Sequence, residues 1–273
     1  MRLRISHSTT YTFDPPVSGL IQVMRLTPSN HDGQYVASWR IDTSAEARLN
    51  MHRDAFGNIT HVLTHGSLPQ LTIDVSGTVD TQDTGGILKG AEERFPPGLF
   101  LRSTSLTESN AELTAFAREL RAGNNDPLDF CHALLLRLHR EMTFDTDPTH
   151  PGTTAADAFK LKRGVCQDYA HIFVTCARSS GVPARYISGH FRRADGVVEQ
   201  EAGHAWAEAH IEGLGWVGFD PANGISTTDC HIRVALGLDY LGAAPIRGTR
   251  YGGAKETLSV AIRVDQASRQ SQS

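Results

Sequence analysis

From Leu3 to about Val79 the chain reads as short runs in which apolar and polar residues alternate, broken by turn residues. The runs are Arg2–Phe13, Gln22–Thr27, Tyr35–Asp42, Asn50–His52, Asn58–Thr64 and Gln70–Val79, punctuated by Phe56-Gly57-Asn58 and Gly66-Ser67. A period of two predicts half-buried strands, and so many of them in succession predict an antiparallel β sandwich or barrel over 1–80. Asp80 to Ser109 breaks the pattern. Thr84-Gly85-Gly86, Gly90 and Phe95-Pro96-Pro97-Gly98 suit neither a helix nor a central strand, so 81–109 is read as a linker.

The period then lengthens. Ser109 or Asn110 supplies a cap, Glu112 sits in the first turn, and Leu113, Phe116, Ala117 and Leu120 share one face of a helix that ends at Gly123. A second helix starts near Asp126-Pro127 and carries Phe130, Leu134, Leu138 and Met142 at intervals of four. A third opens at Cys166, repeats the pattern with Tyr169, Ala170, Phe173, Val174 and Ala177, and stops at Gly181 before Val182-Pro183. After Pro183 the period returns to two: Ala184–Phe191, a break at Asp195-Gly196, Gly203–Ile211, a turn at 212–215, and Trp216–Asp220. Residues 110–273 are therefore expected to pack helices on an antiparallel sheet, giving an α+β chain of two domains. Thr257–Val264 alternates as a strand that either domain can receive.

Composition narrows the classes. With 273 residues, 40% hydrophobic content and a formal net charge of -4, the chain can bury large cores and has no basic excess or Lys/Arg block for nucleic acid. The N-terminus lacks the apolar run of a signal peptide and no stretch is apolar enough to span a bilayer, so a soluble cytoplasmic protein without membrane partners is expected. Oligomeric state is not legible. Four cysteines do not make a disulfide framework, and Cys166 and Cys176, ten residues apart on one helix, stand roughly 15 Å apart. Cys131 and Cys176 lie among apolar helical positions and are expected to be buried and inert. Thirteen histidines raise a metal reading, but there is no His-Glu-x-x-His and no Cys-x-x-Cys, and His61 and His65 fall in a strand-and-turn region. Neither a metal nor another cofactor is expected; Cys166 with His204 lacks further ligands.

The candidate chemistry lies in the order Cys166, His204, Asp220: a nucleophile, its base, and the group that orients the base. A thiol attacks as thiolate, and the free N–H groups and dipole of a helix's first turn favour that charge. His204 begins one strand and Asp220 ends the next, so a hairpin at 212–215 brings them to one end. They share a face only if the connection is odd in length or bulged; a direct pair requires the hairpin to be centred on residue 212. The backbone N–H of Cys166 is the available oxyanion donor. Gln167 is the secondary candidate, although consecutive helical side chains diverge by about 100°. Glu208 shares a face with His204 and is a candidate for the site, against its reading as a solvated strand residue. Asp168 is assigned to its helix's first turn, Trp206 and Trp216 to the core, and Tyr169, His171 and Arg185 to packing or surface. The linker and the segment Asp145–Lys162 are expected to wall the cleft.

Four blocks carry a resemblance: Gly164-Val165-Cys166-Gln167-Asp168-Tyr169-Ala170-His171, Gly181–Gly189, His204-Ala205-Trp206-Ala207-Glu208 and Gly215–Gly224. Together they resemble the bacterial transglutaminase-like superfamily, most closely its cysteine-peptidase-like members with an N-terminal β domain, which 1–80 resembles more loosely. The resemblance implies a papain-like fold for the catalytic domain and triad roles for Cys166, His204 and Asp220. It also implies a later block, His231–Ala235 with Gly237-Leu238-Asp239-Tyr240, in which Leu238 stands where Arg is usual. No tryptophan precedes Cys166 in the catalytic region, where protein-crosslinking members place one, so crosslinking is disfavoured. The expected activity is a cysteine-dependent amide hydrolase, a peptidase or amidase acting on a peptide or other amide through a thioester. The alternatives are acyl transfer to an amine and a non-catalytic binding module retaining the fold.

Overall fold

In the computed structural model, which describes residues 1–253 and 255–267, the first two alternating runs form one long strand, β1 (Arg2–Thr27). The break expected between Phe13 and Gln22 is instead a bend: Asp14, Pro15 and Pro16 are exposed, and the pairing register shifts between Thr12 and Val17. Proline has no N–H to give a neighbour, so the strand continues there by changing partners. The remaining runs become β2 (Gln34–Thr43), β3 (Asn50–Arg53), β4 (Ile59–His65) and β5 (Leu68–Thr81). Alternation puts Tyr11, Phe13, Leu71, Ile73 and Val75 into one core, where each large apolar side chain contributes about 1.5–3 kcal/mol.

The linker is not structureless. It holds a two-residue strand, β6 (Ile87–Leu88), and a 3-10 turn at Pro97–Leu101. Next come α1 (Ala111–Gly123), whose Leu113 amide donates to the Asn110 side chain at 2.8 Å, and α2 (Pro127–Glu141), whose Leu128 amide donates to Asp126 at 2.7 Å. The segment 145–162 contains a helix that periodicity did not reveal. There β7 (Thr143–Phe144), α3 (Ala155–Leu161) and β8 (Arg163–Gly164) lead into α4 (Cys166–Ser179). A second sheet follows, built from β9 (Ala184–Phe191), β11 (His204–Ile211), β12 (Gly215–Asp220), β13 (Ile225–Ser226) and β14 (His231–Gly237), with β10 (Glu199–Gln200) between β9 and β11 in the chain but outside this sheet. A short α5 (Tyr240–Ala243), β15 (Ile246–Gly252) and β16 (Lys255–Gln266) close the chain as described.

This second sheet runs β13-β12-β11-β9-β14, with β6 added beside β12. Helix α4 crosses β9 and β11 and is covered from outside by α1, α2 and α3. It is buried all round from Asp168 to Arg178 rather than along one stripe, so it is the central helix of the domain. Its buried Arg178 donates to the carbonyls of Phe100 (2.9 Å), Ala184 (3.0 Å) and Leu238 (2.7 Å), tying linker, sheet and α5 approach together.

The strand at Thr257–Val264, which either domain could receive, joins the N-terminal sheet. β15 and β16 pair with β1, and β10 pairs with β16, so residues 246–266 complete the N-terminal half-barrel. The edge of β1 opposite β4 and β5 needs backbone partners, and the C-terminal alternation supplies them. The N-terminal domain also grips β14. Gln34 exchanges hydrogen bonds with the Arg233 backbone (2.9 and 2.8 Å), and Asn58 does the same with Leu236 (2.8 and 2.9 Å).

Candidate active site

Cys166 is the first residue of α4, and Val165 precedes it in an extended conformation. The local sequence explains this start. Asp168 turns back so that its Oδ2 accepts the Val165 N–H at 2.8 Å and the Thr149 hydroxyl at 2.7 Å. Gly164 makes room for that turn, because a Cβ there would run into the Asp168 carboxylate. The Cys166 amide, in the first turn, has no intrahelical acceptor and stays available beside the sulfur. Tyr186 and Ala205 lie in the cluster against which Cys166 packs. Burial first, and the Cys166 charge next, push the Tyr186 phenol well above its ordinary range, so it stands beside the sulfur as a protonated hydroxyl.

His204 and Asp220 are on one face, as an odd connection requires. The turn holds three residues, 212–214, with positive φ at Gly213 (80°) and at Gly215 (86°) after it. The hairpin is centred on Gly213 rather than residue 212: Ala207 faces Phe219 and Ile211 faces Gly215. Asp220 therefore sits diagonal to His204, one pair removed from direct opposition, within side-chain reach.

The side chains close that gap. His204 Nε2 lies 2.7 Å from Asp220 Oδ2, which leaves Nδ1 for the sulfur of Cys166, whose nearness also raises the imidazole's proton affinity. The Asp220 side chain is 0% exposed and that of His204 11%. Burial alone, the largest influence, would lower His204; the Asp220 charge and hydrogen bond, reinforced by Cys166, outweigh it and hold the imidazole up at about 10. Asp220 is driven the other way: burial opposes ionisation, but His204 and then His231 keep it well below the usual carboxylate range. Cys131 and Cys176, by contrast, are buried as expected, and burial pushes their thiols up to about 12.

Two further residues belong to this cluster. Asn223 donates from Nδ2 to Asp220 Oδ2 at 2.7 Å and from its backbone to Oδ1 at 3.2 Å. His231 places Nε2 3.1 Å from Asp220 Oδ2. An Asp-Pro-x-Asn turn is a legible cue for Asn223. Nothing in spacing points to His231, which starts β14 beyond β9 and reaches Asp220 across the face.

Glu208 does not join them and is no solvated strand residue either. It is buried, and accepts from Arg185 Nε at 2.6 Å and Arg233 Nε at 2.7 Å, while Arg185, also buried, holds Glu93 on its far side at 2.7 Å. The reason is the sheet: Glu208 lies opposite Arg185 in the β9–β11 ladder. Gln167 turns outward, its amide donating to the Pro151 carbonyl at 3.2 Å. Two cavities of about 280 and 360 Å³ flank the Arg185 and Arg233 side of the sheet; neither is lined by Cys166 or His204.

His204, Asp220 and His231 also bring three metal-type donor atoms within 4.8 Å of one another. Their hydrogen bonding does not fit a cation. Both imidazoles aim a nitrogen at the same carboxylate oxygen, which also accepts from Asn223, so that oxygen is saturated by donors.

Comparison with known proteins agrees with this architecture. Residues 114–221 match the transglutaminase-like superfamily, and residues 3–80 match the bacterial transglutaminase-like N-terminal region. An uncharacterized protein of Mycobacterium leprae is 28% identical over 96% of this chain and 98% of its own, and one of Mycobacterium tuberculosis is 27% identical over 94% and 90%. A crystal structure from Cytophaga hutchinsonii, described as a "Putative Cysteine Protease", superposes with a TM-score of 0.81 over 99% of this chain and 92% of that one, at 18% identity. The likeness at that identity is one of fold. With its core and its N-terminal region both matched, the chain belongs to the transglutaminase-like superfamily.

Proposed function

We propose that this protein is a cysteine-dependent hydrolase of amide bonds, a peptidase or amidase working through a thioester. The observation that carries the reading is the continuous line from a thiol at a helix start, through His204, to the fully buried Asp220. His204 takes the Sγ proton, and the thiolate adds to the carbonyl carbon of the substrate. The Cys166 N–H donates to the oxygen that becomes negative. As the C–N bond breaks, His204 passes its proton to the leaving amine. Water then attacks the thioester, giving His204 a proton that it returns to the sulfur as the C–S bond breaks and the acid leaves. Asp220 keeps the ring turned with Nδ1 to the sulfur and offsets its positive charge throughout. We place this chemistry in the cytoplasm, where the four free thiols stay reduced.

The family's description favours one second reading, acyl transfer to an amine, which shares the first half-reaction. Product analysis on a peptide-amide library with a competing primary amine separates the two. Free carboxylate formed in Cys166-dependent turnover, with the amine adduct a minor product, is expected. An adduct that dominates in the presence of excess water would replace hydrolysis by transfer, and turnover retained in Cys166→Ala would overturn both.

A further inference from the structure

We infer that His231 is a positioning residue for Asp220: its Nε2–H is a second imidazole donor on the oxygen that His204 uses, and it holds the carboxylate ionised and aligned. His231 Nδ1 accepts the Thr228 N–H at 3.1 Å, so a neutral ring must carry its proton on Nε2, the nitrogen 3.1 Å from Asp220 Oδ2. The turn that presents this amide is itself fixed: Cys230 N–H donates to Thr228 Oγ1 at 3.2 Å, and His231 N–H to the Thr228 carbonyl at 3.1 Å. The ring has no room to swing. It packs on Phe191 (centroids 4.6 Å) and edge-to-face on Trp206 (5.2 Å), and its side chain is 2% exposed.

The titratable groups facing it are Asp220 from β12 and His204 from β11. Burial first keeps His231 uncharged against the pull of Asp220, and the His204 charge works in the same direction as burial. A neutral donor is what the arrangement needs. It stabilises the Asp220 charge without placing a second cation beside the imidazolium of His204. Because β14 is gripped by Gln34 and Asn58, the N-terminal domain reaches Asp220 through this residue.

The inference rests on the proposed function only in taking His204 as the base for Cys166. The test is imidazole nitrogen NMR on the labelled full-length protein, with His231→Leu, which removes the donor, and His231→Gln, which keeps an N–H at that place. In the wild type, His231 is expected as the Nε2–H tautomer at pH 7 to 8. Because the carboxylate can then turn away from the His204 ring, His231→Leu is expected to move the His204 titration down by at least about one pH unit, a tenfold change in proton affinity, and His231→Gln to recover most of it. Cys166 alkylation by iodoacetamide should fall and recover in step. An Nδ1–H or charged His231 in the wild type overturns the inference even if the leucine variant does not fold, as does a His204 titration that ignores the substitution. If His204 moves as expected while Cys166 alkylation follows neither histidine, the positioning role stands and the thiol-hydrolase reading fails.

Discussion

Two clusters of buried charge share one face of the six-stranded sheet, and they differ in where their charge leads. At one end of β11, His204, Asp220, His231 and Asn223 form a hydrogen-bonded cluster whose imidazole, His204, neighbours the thiol of Cys166. Four residues along the same strand, Glu208 is enclosed by Arg185 and Arg233, with Glu93 on the outer side of Arg185. Trp206 stands between them, its ring 6.1 Å from His204, and Arg185 lies 3.8 Å over Trp216. In both clusters burial opposes ionisation and partners outweigh it; Arg233 and Arg185 take Glu208 to about 2. The second cluster closes on itself, whereas the first opens onto the thiol of Cys166. Sharing a face with a candidate base therefore says little, and what a group's hydrogen bonds terminate on says much.

The comparison can be broken most sharply at His204. His204→Ala should cut turnover by at least about 10³-fold, while Glu208→Gln stays within about tenfold of wild type; steady-state kinetics on one amide substrate checks both. Equal losses would erase the distinction. Stability should show the reverse order. Glu208→Ala leaves Arg185 and Arg233 without their shared partner and should cost about 3–5 kcal/mol in urea unfolding, with Cys166→Ala within about 1 kcal/mol of wild type.

Their pH dependences should separate as well. His204 is raised, so its stabilising share is complete below 6.5 and is lost as pH rises through about 10. Glu208 is lowered, so its share is complete above 4.5 and is lost only as pH falls through about 2. The Tm gap between wild type and His204→Gln should therefore narrow from pH 7 to 10, and the gap for Glu208→Gln should stay constant over that range. A gap for His204→Gln that is flat would contradict the pairing. At Asn223 the loss of reactivity should be modest: Asn223→Ala removes the side-chain bond to Asp220 and should cost about 1–2 kcal/mol with a several-fold loss of Cys166 reactivity.

Much of this was legible because it is local. Asn110, Asp126 and Pro127 mark helix starts by capping chemistry, alternation marks the strands of both sheets, and the requirement for an odd turn follows from the pleat alone. What was not legible depends on sheet order. The periodicity of Thr257–Val264 shows a strand but not that its partner is β1, the first strand of the chain. Nor does it show that Arg185 would be buried opposite Glu208, or that β14 would carry His231 onto Asp220. Such pairings join residues far apart in the chain, where propensity and period carry no information.

The most direct test of the account is iodoacetamide alkylation of the four cysteines across pH 5–9, read by mass spectrometry, in wild type and His204→Ala. The account predicts that Cys166 reacts at neutral pH well ahead of Cys131 and Cys176, and that its rate falls at least about tenfold without His204. Cys166 alkylated at the same rate with and without His204 would contradict it.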